Sequence, residues 1–155
     1  MIKTRKTAIR HLYNRKTDVE FRSAKYDLFR NDKEVALIAV STSKGFFSDL
    51  NNVSEELQDD VDVVIAAVEN NQKAVFEASV RIKRCIVYSG NPALMDLSQD
   101  EVLPVLYAIK EVEAMGLEIP EEQNIFKFLE TVRLTEDLSK NLSNKFPTKS
   151  SKLKL

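Results

Sequence analysis

Side chains that could carry acid–base or nucleophilic chemistry are few in this 155-residue sequence, which holds one histidine and one cysteine. His11 lies in a helix-like segment beside Arg10, and an exposed helical histidine is the simplest interpretation of it. Cys85 follows two cations, Lys83 and Arg84, which could lower a thiol pKa, but the isoleucine and valine residues around it favour a buried structural thiol. We therefore predict that the chain is not an enzyme.

Cofactor and metal sites are not indicated by the residue pattern either. The segment TSKG at 42–45 has one glycine in the wrong order for a phosphate-binding P-loop. Acidic clusters at 55–62 and 118–122 fall at predicted helix ends, where carboxylates are expected anyway, and neither has the alternating acids and glycine of an EF-hand. A single cysteine excludes an intramolecular disulfide and zinc sites built from several thiolates. The sequence predicts no cofactor and no metal.

Positive charge near the N-terminus is the strongest candidate for a binding function. Residues 1–30 hold nine Lys and Arg against three acids, a net charge of +6, whereas residues 31–139 carry −12 and residues 140–155 carry +5. The candidate contacts for a nucleic acid or another partner are Arg5, Lys6, Arg10, Arg15 and Lys16. Aromatic residues interleaved with these cations, namely Tyr13, Phe21 and Tyr26, could stack on bases.

An alternative is that these cations pair with the acidic body of the same chain or of a second copy. We favour this alternative, because a body with a charge of −12 repels a polyanion from most of the surface.

The composition favours helices over strands. Three glycines and four prolines in the chain are few for a fold with many tight β-turns. Charges interrupt the apolar residues every few positions, so no run reaches the roughly 18 residues of a membrane span, and no apolar segment follows the basic N-terminus as in a secretory signal. We predict a soluble all-α protein in the cytoplasm, with no membrane partner.

An internal repeat organises the middle of the chain. Residues 32–40 (DKEVALIAV) recur as residues 60–68 (DVDVVIAAV), an offset of 28, and the segments 49–57 and 74–82 match at an offset of 25. Each first segment begins with an aspartate suited to cap a helix and a second acid in the first turn. A degenerate half-unit precedes them. The pattern predicts helix-pair repeats over residues 20–87, preceded by a basic N-terminal segment at 1–19. The buried positions it predicts are Val35, Leu37, Val40, Val63, Ile65 and Val68.

Turn and capping signals divide the rest of the chain. Residues 88–92 (YSGNP) predict a turn, and residues 98–101 (SQDE) form a capping box that starts a helix reaching about Met115, where Gly116 ends it. Pro120 predicts the start of a final helix. Its predicted apolar face comprises Ile125, Phe126, Phe128, Leu129, Val132, Leu134 and Leu138. Residues 88–144 are thus predicted to form a C-terminal helical hairpin, followed by a flexible basic tail at 145–155.

Residues 20–85 resemble an uncharacterised tandem helical repeat family with the consensus D-K-E-V-V-L-A-A-V, then N-G, then A-L-x-Y-A-S-x-x-L. Segments 32–40 and 60–68 carry most of the resemblance, and residues 70–72 (NNQ) depart from it because the glycine is missing. The family occurs in large phages, giant viruses and some bacterial and protist proteins, and it has no assigned catalytic residues. The resemblance implies stacked helix pairs, whose extended surfaces suit protein partners.

From the repeat and the resemblance we expect a protein-binding adaptor or inhibitor. The family's distribution implies a phage or mobile-element protein that acts on a host protein. A nucleic-acid-binding accessory protein that uses both basic termini is the alternative from a different class.

Overall fold

The structure is a computed structural model that describes residues 2–15, 21–46, 48–90 and 98–145. Every regular element in these ranges is helical, so the predicted all-α class is confirmed. The α-helices are α1 (Arg5–Tyr13), α2 (Lys33–Thr42), α3 (Glu55–Gln58), α4 (Val61–Asn70), α5 (Val80–Tyr88), α6 (Gln99–Ala114) and α7 (Ile125–Lys145). Three short 3₁₀ segments lie between them at Ala24–Phe29, Asp49–Asn52 and Gln72–Glu77.

Helices α1, α2 and α4 begin in the same way, at a side chain that accepts a backbone N–H of the first turn. Thr4 caps α1, Asp32 caps α2 and Asp60 caps α4. These three caps are 28 residues apart. Fully buried side chains follow the same spacing within the helices, at Ala8, Ala36 and Val64 and again at Leu12, Val40 and Val68. The basic segment predicted at 1–19 therefore contains a packed helix rather than a separate arm.

Five of the α-helices form a row, with α3 packed beside α4 and α5 packed beside α6. Helix α1 packs on α2, α2 on α4, α4 on α6 and α6 on α7, while the 3₁₀ segments Asp49–Asn52 and Gln72–Glu77 contact each other and α4. One continuous core cluster runs along this row from Leu12 in α1 to Leu129 in α7. Helix α1 packs on α2 and helix α7 packs on α6, and within the described residues each of the two has an exposed outer face.

Equivalent hydrogen bonds join the two predicted repeat units to their neighbours. The N–H of Ser54 donates to the carbonyl of Arg30 at 2.8 Å, and the N–H of Ser79 donates to the carbonyl of Gln58 at 3.0 Å. The donors are 25 residues apart and the acceptors 28, which are the two offsets found in the sequence. These contacts support the repeat interpretation, which stays a prediction.

The predicted core positions of α2 and α4 are buried with one exception. The buried residues are Val35, Val40, Val63, Ile65 and Val68. Leu37 is only partly buried and packs at the edge of the core. We therefore expect Leu37 to contribute less to the stability of the fold than its counterpart Ile65.

Helix α6 begins and ends where the sequence predicts. Ser98 and Glu101 form the capping box. At the other end, the N–H groups of Gly116 and Leu117 donate to the carbonyls of Glu113 and Val112, and Gly116 has a φ of 73°. This is the Schellman arrangement, which requires a residue that tolerates the left-handed region.

The last helix begins five residues later than predicted, at Ile125 instead of Pro120. The reason is the side chain of Asn124, whose Oδ1 accepts the N–H groups of Phe126 and Lys127 at 3.0 and 3.3 Å and so caps the helix at that point.

The two C-terminal helices are packed together but do not form the antiparallel pair that a hairpin implies. Phe126, at the start of α7, shares a cleft with Glu101 and Val105 at the start of α6. Further along, Arg133 forms an ion pair with Glu111 near the end of α6. Both helices therefore run in the same direction, and the ten residues between them return along the body. The tail from residue 146 onward lies outside the described residues.

Candidate partner-binding surface

The guanidinium group of Arg15 lies inside the protein. Its side chain is 1% exposed, and it forms an ion pair with Asp49, whose side chain is 2% exposed. The same guanidinium donates to the carbonyls of Ala39 and Thr42 in the last turn of α2, where a positive charge complements the helix dipole. The prediction of Arg15 as a contact for a partner is therefore wrong, because its donors are used within the fold.

Arg5 is exposed but is also paired within the chain. Its Nε lies 2.6 Å from the carboxylate of Asp32, and its Nη1 lies 3.4 Å from that of Glu34. The hydrogen bond that Arg5 donates to the carboxylate of Asp32 raises the pKa of Arg5. The pairing of basic N-terminal residues with the acidic body, which we favoured from the sequence, is thus observed at Arg5 and at Arg15.

Lys33 makes the equivalent contacts one helix further along the row. Its Nζ lies 2.8 Å from Asp60 and 3.0 Å from Asp62, and Asp62 also accepts Lys110 of α6 at 2.7 Å. Hydrogen bonds from Lys110 and Lys33 lower the pKa of Asp62. Arg5 and Lys33 are each the first residue of a helix. Each reaches the capping aspartate and the first-turn acid of the next helix in the row, α2 for Arg5 and α4 for Lys33. These ion pairs use several of the carboxylates that make the body acidic.

The outer face of α1 carries the remaining candidate cations that the structure describes. Lys6 and Arg10 are exposed, and they lie beside Ile9 and Tyr13 on an open surface formed by this helix alone. The Tyr13 side chain is 62% exposed. Residues 6, 9, 10 and 13 share one side of a helix, whereas Ala8 and Leu12 face the core. Apolar and cationic side chains therefore alternate along one exposed strip, and residues 2–15 contain no acid.

The other residues singled out at the N-terminus have different environments. Phe21 and Tyr26 are buried against each other with ring centroids 5.3 Å apart, so the prediction that they stack on bases is wrong. Lys16 lies outside the described residues. His11 is exposed on α1, in agreement with the simplest interpretation of it.

Cys85 is buried in α5, and burial raises the pKa of its thiol. A buried thiol with a raised pKa is a poor nucleophile at neutral pH, so the interpretation of Cys85 as structural holds. Among the residues that the structure describes, no three His, Cys, Asp or Glu side chains are grouped closely enough to hold a metal ion.

Three exposed leucines on α7 form a second surface that the sequence analysis did not recognise. Leu134, Leu138 and Leu142 are 58%, 62% and 58% exposed. The single apolar face predicted for this helix includes Leu134 and Leu138 together with Ile125 and Leu129, and it does not include Leu142. The signal that separates them is the helical period, because Leu138 follows the buried Leu129 by nine residues, or two and a half turns, and therefore lies on the opposite side.

Comparison with known proteins gives no relative: no protein-family model, no curated protein and no solved structure matches this chain. Across the described ranges, no helix is both long enough and apolar enough to cross a membrane.

Proposed function

We propose that this chain is a non-enzymatic, protein-binding adaptor or inhibitor, and that its binding surface is the outer face of α1. The observation that carries this proposal is the alternation of Lys6 and Arg10 with Ile9 and Tyr13 along that face. Such a strip suits an acidic segment of a partner protein that also carries an apolar side chain, since aromatic and basic side chains are enriched at protein interfaces.

The position of α1 at the end of the row supports the same proposal. Helices in the middle of the row are covered on both flanks. Within the described residues, α2 is the one α-helix on which α1 packs extensively. A partner segment placed on its outer face would continue the row of helices. The phage or mobile-element origin and the host partner implied by the family resemblance are part of the proposal and rest on that resemblance alone.

Charge supports a protein partner over a nucleic acid. Lys3, Lys6 and Arg10 are exposed in the described N-terminal residues, whereas Arg5 and Arg15 are paired within the fold. Three phosphate contacts at this end of the chain would give a slope of only about −3 in a plot of log affinity against log salt. Nucleic-acid binding would therefore also need cations of the C-terminal end, of which Lys140 and Lys145 are exposed.

The test is an affinity capture from the lysate of the host cell with three forms of the chain. The forms are the wild type, the double variant Lys6→Gln/Arg10→Gln, and a control, Lys127→Gln/Lys140→Gln, which removes the same charge from exposed positions of α7. A protein retained by the wild type and the control but lost by the first variant supports the proposal. Equal retention by all three forms contradicts it.

A parallel titration with a random-sequence DNA duplex and a random-sequence RNA distinguishes the alternative. Submicromolar affinity at physiological salt that is lost in Lys6→Gln/Arg10→Gln would favour the nucleic-acid-binding accessory protein and contradict the adaptor.

A further inference from the structure

Helix α7 has two apolar faces on opposite sides. In its first half, Ile125 and Leu129 are buried where the helix packs on α6. In its second half, Leu134, Leu138 and Leu142 follow each other at intervals of four residues and are more than half exposed. A helix advances 100° per residue, so the three leucines form one stripe centred about 180° from Leu129.

The second half of α7 projects from the body. Every residue from 133 to 145 is exposed. On the side that carries Leu129, the helical period next places Glu136 and Lys140, and neither suits continued packing on the core. Twelve residues of helix, from 134 to 145, are about 18 Å long, and the leucine stripe faces away from the protein's own core.

We propose that the leucine stripe of α7 (Leu134, Leu138 and Leu142) pairs with the same stripe of a second copy of this chain, with the two helices antiparallel. The stripe is self-complementary in this arrangement: Leu138 lies at the two-fold axis and Leu134 contacts Leu142 of the second copy. Each copy presents the same patch, as a closed two-fold dimer requires. The two bodies lie on opposite sides of the helix pair, because each stripe faces away from its own body.

The charges at the ends of the stripe select the antiparallel direction. Glu130 is exposed on the flank of the stripe about one turn before Leu134, and Lys145 is exposed close to the other end of the stripe. In the antiparallel arrangement centred on Leu138, residue 131 of one copy lies opposite residue 145 of the other, so Glu130 is next to Lys145 twice in the dimer. A parallel arrangement would instead place Lys145 beside Lys145, and like charges at close range are unfavourable. This inference does not rest on the function proposed for α1, which lies at the other end of the row.

Sedimentation equilibrium of the full chain tests the association itself, over about 5 to 500 µM, the range suited to an interface of this small size. We expect the wild type to approach twice the mass of the 17.7 kDa chain at the upper end. Leu138→Glu, which brings two carboxylates together at the axis, should remain monomeric throughout. The matched control is Leu28→Glu, because Leu28 is also an exposed leucine but lies in the 3₁₀ segment Ala24–Phe29. The control should dimerise like the wild type.

Oxidative cross-linking of cysteine variants tests the direction. Cys85 is buried and does not compete. A mixture of Leu134→Cys and Leu142→Cys chains should form mixed disulfide dimers, and either variant alone should form few. Cross-linking of each variant with itself would show a parallel pair and overturn the arrangement. A wild type that stays monomeric over the whole range would overturn the proposal, and so would a monomer that binds neutral lipid vesicles through the stripe.

Discussion

Arg15 and Asp49 form an ion pair that is almost completely buried, although they are 34 residues apart in the chain. The pair joins the end of α1 to the 3₁₀ segment Asp49–Asn52. Because Arg15 also donates to two carbonyls of α2, it connects three elements at one point. A residue that the charge pattern suggested as a contact for a partner is therefore a structural residue.

Replacement of Arg15 by Met should destabilise the fold by about 3 to 5 kcal/mol, because it leaves the buried carboxylate of Asp49 without its cation. Urea denaturation measures the change in the free energy of unfolding. Arg10→Met is the control, since Arg10 is exposed in α1, five residues before Arg15, and its loss should cost within about 0.5 kcal/mol. Equal stability of the two variants would mean that Arg15 is not buried as described.

Replacement of Asp60 by Ala should cost about 0.5 to 2 kcal/mol, because the side chain caps α4 by accepting the N–H groups of Asp62 and Val63. Asp60 also pairs with Lys33, so the ion pair must be separated from the cap. Lys33→Gln removes the exposed ion pairs with Asp60 and Asp62 but leaves the cap, and it should cost about 0 to 1 kcal/mol. If thermal unfolding shows that Lys33→Gln is as costly as Asp60→Ala, the cap contributes nothing measurable.

The equivalent positions Leu37 and Ile65 should differ in their contribution to stability. Ile65 is buried, and Ile65→Ala should cost about 2 to 5 kcal/mol. Leu37 is only partly covered at the edge of the core, so Leu37→Ala should cost about 1 to 2 kcal/mol. The same loss at both positions, measured by chemical denaturation, would contradict the difference in burial.

Replacement of Glu77 by Gln should stabilise the protein at neutral pH. Burial raises the pKa of Glu77 above its usual value of 4.5, so the folded state binds the proton more tightly than the unfolded chain. That contribution is fully present below pH 4.5 and is lost as the pH rises through the folded pKa, which leaves a half-buried charge at pH 7. A glutamine stays neutral, and its Oε can still accept the N–H of Asn51, as Glu77 does at 3.1 Å.

The pH dependence provides the control for this prediction. The advantage of Glu77→Gln over the wild type should shrink as the pH falls through the raised folded pKa of Glu77 and should be absent below pH 4.5, because Glu77 is then neutral in both the folded and the unfolded chain. Glu55→Gln, at an exposed position, should show little gain at pH 7. A Glu77→Gln variant that is less stable than the wild type at pH 7 would contradict the account.

The sequence was sufficient for features that depend on local chemistry. The caps Asp32 and Asp60, the capping box at Ser98 and the glycine stop at Gly116 each act within one turn of helix, and each is found as predicted. The sequence was insufficient where the outcome depends on distant residues. The burial of Arg15 depends on an aspartate 34 positions away, and net charge alone cannot distinguish a paired cation from an exposed one.

The direction of α7 was also beyond the sequence pattern. A connection of ten residues is long enough to return along the body, so an antiparallel hairpin was not the only possible outcome. The leucines of α7 illustrate a different limit. The predicted apolar face listed residues without their angular positions around the helix, so it combined two opposite faces into one.

The central claim, that the outer face of α1 binds an acidic and partly apolar segment of a protein, is tested most directly with a defined probe. A random peptide library is selected on the immobilised wild-type chain, and the dissociation constant of the most enriched peptide is measured by fluorescence polarisation for the wild type and for Lys6→Gln/Arg10→Gln. We predict an acidic peptide with an aromatic or aliphatic residue, and binding weakened about three- to thirty-fold in the variant, as the loss of two exposed ion pairs implies. An enriched peptide without acidic residues, or equal affinity for both chains, would contradict the claim.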